Sequence, residues 1–239
     1  GDVEPADKLL ERILEERRVN WQGKGKYKEP VAPDTTGLPG LPEGWVWASV
    51  DQLVEHVTDG DHQAPPQSER GTPFLVIGNV RTGHIDFTNT RFVGESYYKS
   101  LDSKRRPQKG DLLYTLVGSY GIPVPVKTDT PFCIQRHMAI LRPHSKTPMR
   151  YLVLAMKSVN VFKQATAVAT GTAQLTVPLA GLRKISIPLP PVAEQGQIVE
   201  EVECQLSIIS EAEAQVCSSL HRADFLRQSV LKKAFSGYL

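Results

Sequence analysis

With 239 residues, 40% of them hydrophobic, the chain can build one substantial domain with a real core plus an extended element. A formal net charge of +2 is mild, so any attraction to phosphates has to come from local clustering of Lys and Arg. No apolar run approaches the roughly 18 residues of a membrane span, the charged N-terminal stretch does not read as a signal peptide, and Cys133, Cys204 and Cys217 lack metal-ligand spacing; free thiols in a reducing, cytosolic compartment are expected.

Asp7 to Trp21 predicts a short helix with Leu9, Leu10, Ile13 and Leu14 on one side and charges on the other. Residues 22–40, rich in Lys, Gly and Pro, have the composition of a solvated linker, in which Lys24, Lys26 and Lys28 either touch phosphates or simply keep the chain soluble. Trp45 to Val57 is apolar and mixed, and Asp59 to Arg70 reads as loop. Phe74–Val80, Ile85–Phe87, Leu112–Val117, Val124–Lys127 and Met138–Leu141 are β-like runs separated by Gly, Pro and Asp. Met149 to Val168 is helical, with Leu152, Ala155, Met156, Val159 and Phe162 spaced to face a core.

Pro188, Pro190 and Pro191 force an extended chain, after which Glu194 and Gln195 open a helix. Apolar residues then recur at alternating steps of three and four: Val199, Val202, Leu206, Ile209, Glu213, Val216, Leu220, Ala223, Arg227, Val230 and Ala234 occupy successive a and d positions, and only Glu213 and Arg227 break the pattern. No Gly or Pro interrupts Glu200 to Ser236, so the helix is expected to run about 40 residues, about 60 Å. Such a seam calls for a second helix, or for packing on the chain's own domain. The expected architecture is α+β: a short helix and linker over 1–40, a strand-rich domain with packed helices over 41–190, and a coiled-coil helix over 191–239.

No catalytic constellation is visible. There is no glycine-rich cofactor loop with an Asn-Pro-Pro-aromatic motif, no clustered carboxylates with a lysine for a nuclease metal, and no P-loop. The six histidines have no metal-ligand spacing. DNA contact is the positive reading. Lys99, Lys104, Arg105, Arg106 and Lys109, five basic residues within eleven positions, suit phosphate neutralisation or are a solvated charge run. Ser119 and Tyr120, between Gly118 and Gly121, lie on a turn that either approaches a ligand or only closes a hairpin. Gln135, Arg136 and His137 carry the chemistry of major-groove readout, unless they are bonded within the fold. Thr172 and Gln174 lie on a small polar loop, and Arg81, Thr82 and His84 on a turn.

Several stretches carry a resemblance. Leu41-Pro42-Glu43-Gly44-Trp45, Gly71-Thr72-Pro73-Phe74-Leu75 with Asn79-Val80, and Gly110-Asp111-Leu112-Leu113 come first in order. Gly118-Ser119-Tyr120-Gly121, Arg136-His137, Thr170-Gly171-Thr172-Ala173 and Pro188-Leu189-Pro190-Pro191 with Glu194-Gln195 follow. Together they resemble the specificity subunit of type I restriction-modification enzymes from Leu41 onward. Val76 departs from the pattern, which implies a basic residue there. The ending Leu231-Lys232-Lys233-Ala234-Phe235-Ser236-Gly237 and the opening helix make the chain look like one half of such a subunit, either its C-terminal half or a naturally halved form.

The resemblance implies a non-catalytic subunit of a prokaryotic, cytoplasmic complex. A single target recognition domain would read one half of a bipartite double-stranded DNA target. The long helix would pair antiparallel with the helix of a second half, or with a second copy, through Val199, Val202, Leu206, Ile209, Val216, Leu220, Ala223 and Val230. It would set the half-site distance and dock modification subunits, with restriction subunits joining them. S-adenosylmethionine, Mg and ATP would belong to those partners, none being bound by this chain. A stand-alone homodimeric DNA-binding regulator, or a coiled-coil adaptor with a protein-binding β-rich domain, is the alternative.

Overall fold

The computed structural model describes residues 4–23, 25–62 and 65–237, so Lys24 lies outside the described residues. Two units divide the chain, residues 1–195 and residues 196–239. Helix α1 (Ala6–Val19) is followed by β1 (Val46–Ser49), α2 (Val50–Leu53) and β2 (Val54–Asp59). Then come β3 (Gln67–Ser68), β4 (Thr72–Leu75), β5 (Arg91–Val93), α3 (Glu95–Ser100), β6 (Leu112–Thr115), β7 (Pro123–Pro125), β8 (Cys133–Ile134) and β9 (Met138–Pro143). Helices α4 (Met149–Lys157), α5 (Val159–Val168) and α6 (Leu179–Lys184), strand β10 (Ser186–Leu189) and helix α7 (Val192–Phe235) complete the order.

Among the described residues the strands make an antiparallel β1–β10 pair and two four-stranded sheets, β2-β9-β6-β7 and β3-β5-β4-β8, the second containing a parallel β4–β8 pair. The β1–β10 pair brings residues 46–49 against 186–189 and closes the first unit. Pro123 and Pro125 lie on β7, the last strand of its sheet, and Pro188 on a two-stranded pair, positions where a missing N–H costs the ladder least. Leu75, Leu113, Phe132, Ile134, Met138 and Ile140 are buried together between the two larger sheets.

The local physics accounts for where the elements begin and end. In α1, Ala6, Leu9 and Ile13 are buried on one face, while Arg17 and Arg18 sit in the last turn, complementing its dipole. Residues 22, 23 and 25–40 form no helix or strand and are largely exposed, yet the segment is tied down: Val31 donates its N–H to Asp51 Oδ2 at 2.9 Å, and Ser186 Oγ donates to the carbonyl of Asp34 at 3.2 Å. The expected run Phe74–Val80 stops at Leu75 because Asn79, buried, accepts from the Val76 N–H at 3.0 Å and donates to the Asp86 carbonyl at 3.1 Å, holding Ile77–Asn79 in a 3-10 turn. Ile85–Phe87 is no strand; it packs on the core, Phe87 edge-on to Phe132 at 5.9 Å. The expected helix Met149–Val168 breaks at Ser158, whose Oγ caps α5 by accepting from the Val161 N–H at 3.3 Å.

Helix α7 starts at Val192 and runs 44 residues without a break, about 66 Å at 1.5 Å per residue. Its start is fixed inside the first unit: Trp45 Nε1 donates to Glu194 Oε2 at 2.8 Å, and Gln195 Nε2 to the Pro190 carbonyl at 2.8 Å. In the second unit Leu206, Ile209, Val216, Leu220 and Val230 are each 47–61% exposed, and Ala223 is exposed with them; Val199 is buried and Val202 half-buried. Among the described residues no helix is long and apolar enough to cross a membrane, and no group of three His, Cys, Asp or Glu is placed to hold a metal ion.

Asp111 is the most deeply buried carboxylate among the described residues of the first unit. Asp111, 1% exposed, accepts from Arg142 Nε at 2.8 Å and Nη2 at 2.9 Å, and from the Gln108 N–H at 2.9 Å. The pair raises the guanidinium's pKa above its ordinary value, through the hydrogen bond first. Asp111→Ala leaves that half-buried cation unmatched and is predicted to cost about 3–5 kcal/mol in urea unfolding, whereas a loss under about 1 kcal/mol contradicts the reading.

Candidate nucleic-acid interface

The register of the β3-β5-β4-β8 sheet decides which side chains meet. Gln67 and Thr72 both pair with Val93, Phe74 pairs with Arg91 across β4–β5, and Phe74 pairs with Cys133 across β4–β8. Because side chains alternate along a strand, Gln67, Arg91, Phe74, Cys133 and, two residues on, Gln135 share one face. Phe74, Val93, Leu101 and Cys133 bury the floor of that face, with Tyr97 and Tyr98 packed against it. Beyond the floor opens a cleft of about 270 Å³ rimmed by Asp61, Gln67, Arg91, Gln135, Arg136 and His137.

The turn from β8 to β9 is held by its backbone. Gln135 donates its N–H to Leu75 O at 3.0 Å, Met138 to Gln135 O at 3.2 Å, and Leu116 to His137 O at 2.8 Å. The side chains are thereby left to face outward: Gln135 and His137 are half-buried and Arg136 is exposed. Burial, then the neighbouring Arg136 charge, lowers the His137 pKa below the usual imidazole value, which favours the neutral ring at pH 7. A second cleft of about 330 Å³ shares His62, Arg136 and His137 with the first and adds Gln174.

Gln174 belongs to the loop closed by Thr170 and Thr176, which exchange backbone hydrogen bonds of 2.9 and 2.8 Å and leave Thr172 and Gln174 exposed at its tip. The Gly118–Gly121 turn lies alongside, Gly118 donating its N–H to Leu175 O at 3.1 Å. Gly118 has φ of 68°, the left-handed region that favours glycine, and a Cβ there would also sit 2.8 Å from the movable amide of Gln174. Ser119 is exposed; Tyr120 stacks on Phe162 with centroids 5.5 Å apart, its hydroxyl 3.0 Å from Thr166 Oγ1.

The basic residues 99–109 are divided among several tasks. Lys99 pairs with Glu95 and Lys109 with Asp129, each at 2.8 Å and on the surface. Arg106 sits over the Tyr98 ring at 5.7 Å. Arg105 reaches inward: its Nη1 donates to Gly60 O at 2.6 Å and lies 3.2 Å from Asp59 Oδ1. Lys104 lines a separate cavity of about 540 Å³ with Lys28, His56, Glu16 and Glu55. Arg81, Thr82 and His84 are exposed on the turn after Asn79 and line neither cleft.

The model of the type I restriction modification DNA specificity domain matches residues 71–210. The chain belongs to that family. It is 28% identical over 205 residues to the type I restriction enzyme EcoBI specificity subunit of Escherichia coli, covering 83% of this chain and 43% of the relative. Against the EcoKI specificity subunit of Escherichia coli strain K12 the identity is also 28%, covering 79% and 42%. The chain thus spans less than half the length of these curated relatives. In fold it is similar to a chain of a type I R-M system, with a TM-score of 0.63 at 20% identity over 98% of this chain and 54% of that one. The HsdS subunit from Thermoanaerobacter tengcongensis gives 0.54 at 23%, over 98% and 51%.

The structure groups Gln135, Arg136 and His137 with Gln174, distant from them in sequence, around two adjoining clefts, and adds Arg91 and, ahead of the matched residues, Asp61, His62 and Gln67. The added residues fall in a stretch whose composition reads as loop and in a three-residue strand too short to show alternation. Arg105 of the specificity domain braces the edge of the first cleft through Gly60. Arg105→Ala is predicted to lower stability by about 1–3 kcal/mol in thermal or urea unfolding. An unchanged midpoint contradicts the bracing.

Proposed function

We propose that the specificity domain reads one half of a bipartite double-stranded DNA target, as half of a non-catalytic specificity subunit in a cytoplasmic type I restriction-modification complex of a prokaryote. The observation that carries this reading is the β8–β9 turn, where Gln135 and an Arg136 free of ion pairs among the described residues project into open clefts in a chain of this family. An Arg fork grips guanine O6 and N7 and a Gln amide grips adenine, which is sequence readout rather than phosphate neutralisation. Lys99 and Lys109, matched only by surface carboxylates, exchange those partners for phosphates at little cost and supply affinity without sequence choice.

Helix α7 then pairs antiparallel with the corresponding helix of a second half or a second copy, acts as the spacer between half-sites and docks modification subunits; restriction subunits join that assembly. Its charge pattern favours the antiparallel sense. Glu200, Glu201, Glu203, Glu211 and Glu213 lie in the first half of the exposed stretch, and Arg222, Arg227, Lys232 and Lys233 in the second, so reversal sets acid against base. S-adenosylmethionine, Mg and ATP belong to the partner subunits. Two identical copies would read an interrupted palindrome.

Selection of bound duplexes from a random pool, with the full chain and added modification subunits, tests the proposal. One conserved half-site is expected, and Arg136→Ala is predicted to relax one position within it at a cost of about 1–3 kcal/mol. Lys99→Ala is expected to weaken all duplexes alike and reduce the salt slope by about 1. A chain that enriches no sequence contradicts the reading.

A further inference from the structure

We infer that Arg91 and Gln67 are specificity-determining residues: with Arg136 and Gln135 they form two guanidinium–amide pairs that contact base edges. The inference rests on the DNA-reading proposal above and extends it to two residues on a different part of the sheet. Strand register is the first support. Gln67 faces Val93, Arg91 stands two residues before Val93, and Gln135 stands two residues after Cys133, so all three project from one face. Strands β5 and β8 flank β4, about 10 Å apart at 4.7–4.9 Å per strand, and Gln135 lies two residues beyond the Cys133 that stands in line with Phe74 and Arg91, so Arg91 and Gln135 are about 12 Å apart along the backbone face. That separation fits inside a major groove about 12 Å wide and spans about three base-pair steps of 3.4 Å.

Availability is the second support. Arg91 and Gln67 are exposed, and neither side chain has a hydrogen bond or ion pair among the described residues, while both line the cleft that Gln135 and Arg136 enter. Electrostatics supplies the third. Asp61 lines the same cleft, with its carboxylate accepting the Tyr97 hydroxyl at 2.8 Å. A fixed carboxylate repels a phosphate but tolerates base edges, which carry amino donors as well as acceptors. Arg91 is therefore turned to bases rather than to backbone.

The deciding experiment repeats the duplex selection with Arg91→Ala, Arg91→Lys and Gln67→Ala, measuring affinity for the selected duplex at several salt concentrations. Arg91→Ala and Arg91→Lys are both expected to relax the same single position and to weaken that duplex about 10- to 100-fold, because Lys lacks the planar fork. Gln67→Ala is expected to relax a neighbouring position. The salt slope stays unchanged in each. Uniform weakening of every duplex with the slope reduced by about 1 would make Arg91 a phosphate contact and overturn the inference. So would an Arg91→Ala chain that selects the wild-type sequence at wild-type affinity while Arg136→Ala relaxes its position; the DNA-reading proposal then survives and this one falls. A wild-type chain that selects nothing overturns both.

Discussion

Gly60 has no room for a side chain. A Cβ placed there would lie 2.1 Å from the Ile134 carbonyl oxygen and 2.6 Å from the Gln135 carbonyl carbon. This backbone-on-backbone approach, at the end of β2 and the end of β8, is where the two four-stranded sheets meet, continued by the parallel bridge between Asp61 and Gln135. Arg105 secures it from outside through Gly60 O and Asp59. The clefts exist because of that junction: it sets Asp61 and His62 of one sheet's margin beside Gln135, Arg136 and His137 of the other's. A larger residue at Gly60 would push the sheets apart and displace the reading turn with them.

The first unit resembles a clamp around that junction. Asp111, just ahead of β6, and Arg142 on β9 are tied from within, the β1–β10 pair joins residues 46–49 to 186–189, and the segment over residues 25–40 is hydrogen-bonded across the outside. Rigid elements thus carry the turns, which is how a surface of loops can hold side chains in a fixed geometry. The second unit has the opposite character. Its single helix leaves a band of Leu, Ile and Val in water, with a groove of about 420 Å³ at Ile209, Val216 and Leu220, which a lone helix has no reason to keep.

Much of this was legible in the amino-acid order. The a and d rhythm from Val199 marked a long helix, the prolines marked its beginning, and β6 and β9 stood out as apolar runs. The misses share a cause. Gln67–Ser68 and Arg91–Val93 are strands of two and three residues, held by neighbours rather than by their own pattern, and Ile85–Phe87 is apolar because it covers a core without joining a ladder. The basic run 99–109 shows the limit of counting charges: composition put five cations together, but folding sent Arg105 inward, laid Arg106 on Tyr98 and gave Lys99 and Lys109 carboxylate partners. The grouping of Gln67, Arg91 and Gln135 depends on strand register, and no periodicity within any one of their segments encodes it.

The central claim is that the sheet face and turn around Arg136 enter the major groove and touch base edges. Dimethyl sulfate protection on a selected duplex tests it most directly, because the reagent methylates guanine N7, an atom exposed in that groove. The account predicts that guanines within the half-site are protected by the wild-type chain and regain reactivity with Arg136→Ala. A bound duplex whose guanine N7 atoms all stay fully reactive would contradict it.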